Sequence, residues 1–124
     1  MLSELQSHLL LLKEQNILVV VEGAKDRLAL NYLGVDNVIT LNKPLFAIVE
    51  EVARVANECV VLTDLDGEGR RLYARLARDL NNHGVKVNNA FRNFLFRETS
   101  LRQIEGLATY INNAGQRAGH SQTF

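Results

Sequence analysis

With only one cysteine, one proline and no excess of either charge, the 124-residue sequence already rules out several protein classes. A lone Cys59, set in the apolar run Cys59-Val60-Val61-Leu62, leaves no disulfide framework and reads as a buried, inert thiol. No secretory signal pattern is visible, so the cytoplasm is the expected compartment. A single proline among eight glycines leaves no room for a long disordered linker. Fourteen basic residues balance fourteen acidic ones, without the global basic excess of non-specific nucleic-acid binders. Any affinity for nucleic acid must then come from a local patch or a bridging metal. Long hydrophobic runs are missing too. The cluster Leu9 to Leu12, flanked by Glu4, Lys13 and Glu14, is too short for a signal core or a membrane span, and no membrane association is expected. His8, His83 and His120 have no metal-ligand spacing, and no internal repeat appears.

What remains is an alternation of strands and helices. Leu2, Leu5, Leu9 and Leu12 predict an amphipathic helix over 2–15. The β-branched run Ile17 to Val21 suits a strand buried on both faces, and it stops at Glu22-Gly23. A helix over 25–33 is capped by Gly34, and Asn37 to Leu41 forms a second strand. Pro44 opens a third helix, and Cys59 to Thr63 is a third strand that ends at Asp64. Leu72, Leu76 and Leu80 mark a fourth helix, closed by Gly84, with a short strand over Val85 to Val87. Phe91, Phe94, Leu95 and Phe96 read as an irregular or short extended stretch. A last helix is predicted over 101–113, with Ser100 as its cap, before a polar, flexible tail over 116–124. The pattern predicts an α/β unit over 1–115, a roughly four-stranded parallel sheet with helices on both faces. Ligands of such sheets bind beyond the carboxyl ends of the strands, where the chain reverses direction across the sheet.

Two of these strand ends finish in carboxylates. Glu22 follows the first strand; Asp64, Asp66 and Glu68 follow the third. If the two strands are neighbours, all four acids converge on one edge, and their repulsion would be relieved by a divalent cation. Mg²⁺, with Mn²⁺ as a substitute, favours such hard oxygen donors together with water and substrate phosphate. Gly23, Gly67 and Gly69 would let backbone approach a phosphate. Taken alone, Asp26 or Asp64 reads as a helix cap, and two aspartates in a turn with glycine as ordinary turn chemistry. Their joint placement after two buried strands favours a metal-dependent phosphate site.

The pair Val20-Val21-Glu22-Gly23-Ala24-Lys25-Asp26 and Leu62-Thr63-Asp64-Leu65-Asp66-Gly67-Glu68-Gly69 resembles the Toprim domain, over a core of residues 17–89. That domain is shared by topoisomerases, bacterial-type primases, overcoming-lysogeny-defect nucleases, a recombination mediator and the ribonuclease that matures 5S ribosomal RNA. The resemblance implies a Rossmann-like fold, Glu22 as general acid or base, and Asp64 and Asp66 as Mg²⁺ ligands, with Glu22 and Glu68 as further candidate ligands. The chain departs from many members at Leu41-Asn42-Lys43-Pro44, where a glycine-containing turn is common. Asp64-Leu65-Asp66-Gly67 is also similar to the first motif of haloacid-dehalogenase phosphatases, and receiver domains likewise place acids after strands one and three. The first of these needs its motif on strand one, and the second needs a fifth strand ending in lysine.

The expected activity is Mg²⁺-dependent processing of RNA or DNA, of nuclease or RNA-maturation type. The alternative is a non-catalytic adaptor docked on a larger RNA- or DNA-processing complex. Lys25 and Arg70, beside the acids, are the candidate phosphate contacts with Gly23, Gly67 and Gly69. Arg71, Arg75 and Arg78 form either a solvated helix face or a phosphate-tracking stripe. Arg92 and Arg97, interleaved with phenylalanines, either stack on bases or flank a buried aromatic cluster.

Overall fold

The computed structural model describes residues 2–122, with side chains described for residues 2–115. Its centre is a four-stranded sheet in which β1 (Leu18–Val21) lies between β2 (Val38–Thr40) and β3 (Glu58–Leu62), with β4 (Lys86–Val87) outside β3. All three pairings are parallel, and Val21 stands opposite both Thr40 and Leu62. The predicted α/β class and strand count are therefore correct. The order also makes β1 and β3 direct neighbours, the condition on which the acidic edge depends.

Alternation along the strands explains why both faces must be covered. Val19, Val21, Val60 and Leu62 point into one core, and Leu18, Val20, Cys59 and Val61 into the other. The first core is closed by α1 (Leu2–Glu14), α2 (Ala24–Tyr32), α5 (Ala90–Glu98) and the start of α6 (Leu107–Gln122). The second is closed by α3 (Leu45–Val55) and α4 (Gly67–Asn82), through Ile48, Val49, Val52, Leu76 and Leu80. Cys59 is fully buried in this second core, and its burial raises the thiol pKa to about 11, as expected of an inert thiol. Gly34 adopts φ +87 after α2, where the Val35 amide returns to the Leu30 carbonyl at 2.9 Å.

Two predicted elements differ. Residues 90–98 form a helix, not an extended stretch. Phe91, Phe94 and Leu95 have i, i+3, i+4 spacing and pack on α1, while Phe96 falls on the opposite, half-exposed face and disguises the period. The last helix does not begin at Leu101. Thr99 Oγ1 accepts the Leu101 amide, and the Arg102 carbonyl accepts the Leu65 amide at 2.7 Å, so residues 99–103 are drawn out along the acidic turn. A 3-10 turn (Ile104–Gly106) then leads into α6, whose backbone continues through residues 116–122, read from the sequence as tail; residues 123–124 lie outside the described residues.

Candidate functional site

The chain runs from β1 to β2 on one side of the sheet, then crosses back to β3 and β4 on the other. The crevice between the carboxyl ends of β1 and β3 is thus the switch point, where ligands of open α/β sheets bind. Glu22 leaves β1 there and reaches across to β3, where its Oε2 accepts the Asp64 amide at 2.7 Å. This single bond joins the two motifs singled out from the sequence.

Asp64 is held from three further directions. Its Oδ1 accepts the Ile104 amide at 3.0 Å, and its carbonyl accepts Arg92 Nη2 at 2.9 Å. The neighbouring Thr63 carbonyl accepts Arg92 Nη1, while Thr63 Oγ1 donates to the Gly69 carbonyl at 2.6 Å. Gly69 packs so closely here that an added Cβ would lie 2.0 Å from the Asp64 oxygen. Asp66 caps α4, its Oδ1 accepting the Gly69 amide at 2.8 Å. The acidic turn is therefore fixed from both sides of the sheet, as a preorganised site requires.

Burial first, and then the charges of Asp64, Asp26 and Asp66, raise the Glu22 pKa above the usual carboxylate value; the bond from the Asp64 amide opposes them. Asp26 is itself buried, with its pKa raised chiefly by that burial, and its Oδ2 accepts the Gly23 amide at 3.0 Å. The fourth acid at this edge is therefore Asp26, which sequence reasoning treats as a cap. Glu68 stands exposed in the first turn of α4 and is not among the charges acting on Glu22. The expected convergence of Glu22, Asp64, Asp66 and Glu68 is only partly met. Among the described residues no three His, Cys, Asp or Glu side chains are grouped closely enough to hold a metal ion.

The donor chemistry still fits a hard divalent cation. Glu22, Asp64 and Asp66 each have one oxygen engaged by a backbone amide among the described residues, leaving a second oxygen to offer. Mg²⁺ commonly takes one or two carboxylates and completes its shell with water and substrate phosphate, so a preformed three-acid cage is not required.

The glycines divide. At Gly69 the missing side chain makes room for the Asp64 backbone, whereas Gly23 has nothing within 4 Å and Gly67 only the Arg71 guanidinium at 3.6 Å. Lys25 is exposed at the start of α2, and Arg70 is exposed in the first turn of α4, its guanidinium 5.3 Å from the Phe96 ring centroid. Arg71, Arg75 and Arg78 are exposed along α4, and Arg78 pairs with Asp79. Sequence reasoning missed the structural part of Arg92, a buried cation over the Tyr73 ring that ties down Thr63 and Asp64. Its only sequence signal is a position one residue after Phe91 on a helix not predicted there.

No helix among the described residues is long and apolar enough to cross a membrane. A UPF0292 protein of Methanocaldococcus jannaschii is 33% identical over 99 residues, covering 76% of this chain and 77% of that protein. One from Methanosarcina barkeri is 31% identical over 123 residues, covering 96% of this chain and 86% of its own length. A solved protein of Aquifex aeolicus overlays with a TM-score of 0.75 at 30% identity, over 85% of this chain and 96% of that one. The structure of the zinc-binding and RNA polymerase domains of the Aquifex aeolicus primase shares the fold, with a TM-score of 0.54 at 23% identity, over 85% of this chain and 27% of that one. The Toprim-like family model matches residues 19–94, from β1 through the acidic turn into α5, and with these relatives it establishes that the chain belongs to the Toprim-like family, in its UPF0292 group.

Proposed function

We propose that the protein carries out Mg²⁺-dependent phosphodiester chemistry on nucleic acid, of nuclease or RNA-maturation type, at the crevice between β1 and β3. The observation that carries this reading is the bond from the Asp64 amide to the Glu22 carboxylate, which ties the two acid-bearing turns together at the switch point of the sheet. Glu22 suits proton transfer because burial, and then its acidic neighbours, raise its pKa from the usual carboxylate value. Asp64 and Asp66 would hold the ion, with the second oxygen of Glu22 beside them. A bound Mg²⁺ would neutralise charge on a substrate phosphate. Gly23 leaves open space for that phosphate, Gly67 faces only the Arg71 guanidinium, and Lys25 and Arg70 are exposed cations near the same helix starts. Membership of the Toprim-like family, with a fold shared with a primase structure, supports nucleic acid as the substrate class.

The test is cleavage of single-stranded RNA and DNA by the purified protein with Mg²⁺ or with chelator. Glu22→Gln should lower the rate by roughly 10²–10⁴ while binding survives, the usual contribution of general acid–base catalysis. Equal cleavage by the variant would remove Glu22 from that role.

One observation favours a second reading. Asp66 already caps α4, and no three acids form a ligand set among the described residues. An adaptor that binds nucleic acid without cutting it would need no more than this. Absence of Mg²⁺-dependent turnover on any substrate, with binding retained, is the result that selects it.

A further inference from the structure

Beside the acidic turn, on the α4 and α5 side, lies a cavity of about 460 Å³ lined by Leu65, Arg70, Tyr73, Arg92, Asn93, Phe96 and Arg97. Three of these are arginines and none is an acid, in a protein whose net charge is zero. Such a local excess marks a place for an anion. Arg92 lends its hydrogen bonds to the neutral Thr63 and Asp64 carbonyls, with the Glu22 and Asp64 charges nearby. Arg97 has only an exposed contact with Glu98 at 4.0 Å, and no ion pair is formed by Arg70 among the described residues. The remaining wall is aromatic. Phe96 keeps 41% of its surface exposed, one helical turn from Arg92. Guanidinium groups of Arg70 and Arg102 lie over its ring at 5.3 and 4.9 Å from the centroid, so a base would reach Phe96 by taking the place of one of these exposed arginine side chains or by stacking on its guanidinium plane.

We propose that this pocket receives one unpaired nucleotide of a single-stranded nucleic acid, its base against Phe96 and its phosphate on Arg70 and Arg97. The volume suits a single small ligand and not a base pair. A base can enter such a pocket only when it is out of a duplex stack, so the pocket selects unpaired strands. Arginine and aromatic groups together are the usual means of holding a single strand without reading its sequence. The pocket is also joined to the acids. Leu65 in its wall follows Asp64 directly, and Arg92 in its lining grips the Asp64 carbonyl. A strand seated here would bring its adjoining phosphate towards the β1–β3 crevice; this placement, though not the pocket's occupancy, rests on the function proposed above.

Binding is measured in chelator, which separates it from any metal chemistry, using short RNA and DNA single strands carrying 2-aminopurine and their duplex counterparts. The pocket predicts tighter binding of at least one kind of single strand than of its duplex, with fluorescence quenched by stacking. Phe96→Leu keeps the apolar bulk but loses the ring, and should weaken binding roughly ten-fold or more. Phe96→Tyr should restore it, and Arg97→Ala should reduce the log–log salt slope by roughly 0.7. Because Phe96 is half exposed, all three variants should unfold at the wild-type midpoint. Wild-type affinity and quenching in Phe96→Leu would overturn the proposal, as would equal binding of duplex and single strand. Single-strand binding that responds to Phe96 with no cleavage under any metal would uphold the pocket and overturn the phosphodiester reading instead.

Discussion

Replacing Gly69 with alanine tests whether the acidic turn is built as described. The added Cβ would lie 2.0 Å from the Asp64 carbonyl oxygen, 2.5 Å from its carbon and 2.9 Å from its Cα. Ordinary carbon–oxygen contacts lie near ~3.3 Å or beyond, so backbone must move by about an ångström. Overpacking of this kind costs about 1–3 kcal/mol. The movement also strains the Asp66 cap and the bond from Thr63 to the Gly69 carbonyl, together adding about 1 kcal/mol. A total of ~3 kcal/mol should lower Tm by roughly 10 °C for a chain of this size, read by thermal melting and urea denaturation. Gly67→Ala meets only the Arg71 guanidinium at 3.6 Å, and Gly23→Ala meets nothing within 4 Å. Both should stay within about 0.5 kcal/mol of wild type, while any phosphate contact at these two positions would weaken. A Gly69→Ala protein as stable as wild type, or a Gly67→Ala protein as damaged as Gly69→Ala, would refute the packing described for this turn.

Four other outcomes follow from the same geometry. Mg²⁺ or Mn²⁺ should raise Tm by mass action, and Asp64→Asn with Asp66→Asn should abolish the rise without unfolding the apo protein; an equal rise in the double variant would remove both residues from the metal site. Burial and acidic neighbours raise the folded-state pKa of Glu22 and Asp26, so the folded chain holds these protons longer than the unfolded one. Their contribution is then present at low pH and is lost as pH rises through the raised values; urea unfolding from pH 4 to 7 should show it, with a shallower dependence in Glu22→Gln. Arg92→Met orphans the Thr63 and Asp64 carbonyls and should cost about 2–5 kcal/mol in the same assay, whereas a change below 1 kcal/mol would mean that water replaces the guanidinium. Arg70→Ala should flatten the salt dependence of single-strand binding by roughly 0.7 in log–log slope, and an unchanged slope would remove Arg70 as a phosphate contact.

The central strands β1 and β3 are legible because each buries both faces, which the apolar runs Val19 to Val21 and Val60 to Leu62 suit. Their neighbourhood is only a condition in the sequence, since spacing alone does not show which strands pair; the sheet order supplies it. Glu22 and Asp64 were found because their side chains carry the signal. The supports of the site were not, because they act through backbone. Nothing in the letters for Ile104 or Arg102 shows that an amide of one and a carbonyl of the other hold the turn at Asp64 and Leu65. Asp26 was read as a cap because its burial beside Glu22 depends on how α2 leaves β1. Phe96 hid α5 by adding an aromatic residue off the buried stripe.

The bond from the Ile104 amide to Asp64 spans forty residues of chain, and it also has a consequence in time. During synthesis Glu22 and Asp64 are both made well before the segment that clamps them. At ~5–20 residues per second, about 2–8 s pass between the addition of Asp64 and that of Ile104. Through that interval the Asp64 carboxylate lacks its backbone tether from Ile104, so a nascent chain can close its sheet before its acidic turn has a fixed shape. The order of assembly makes the acidic edge a late-maturing part of the protein.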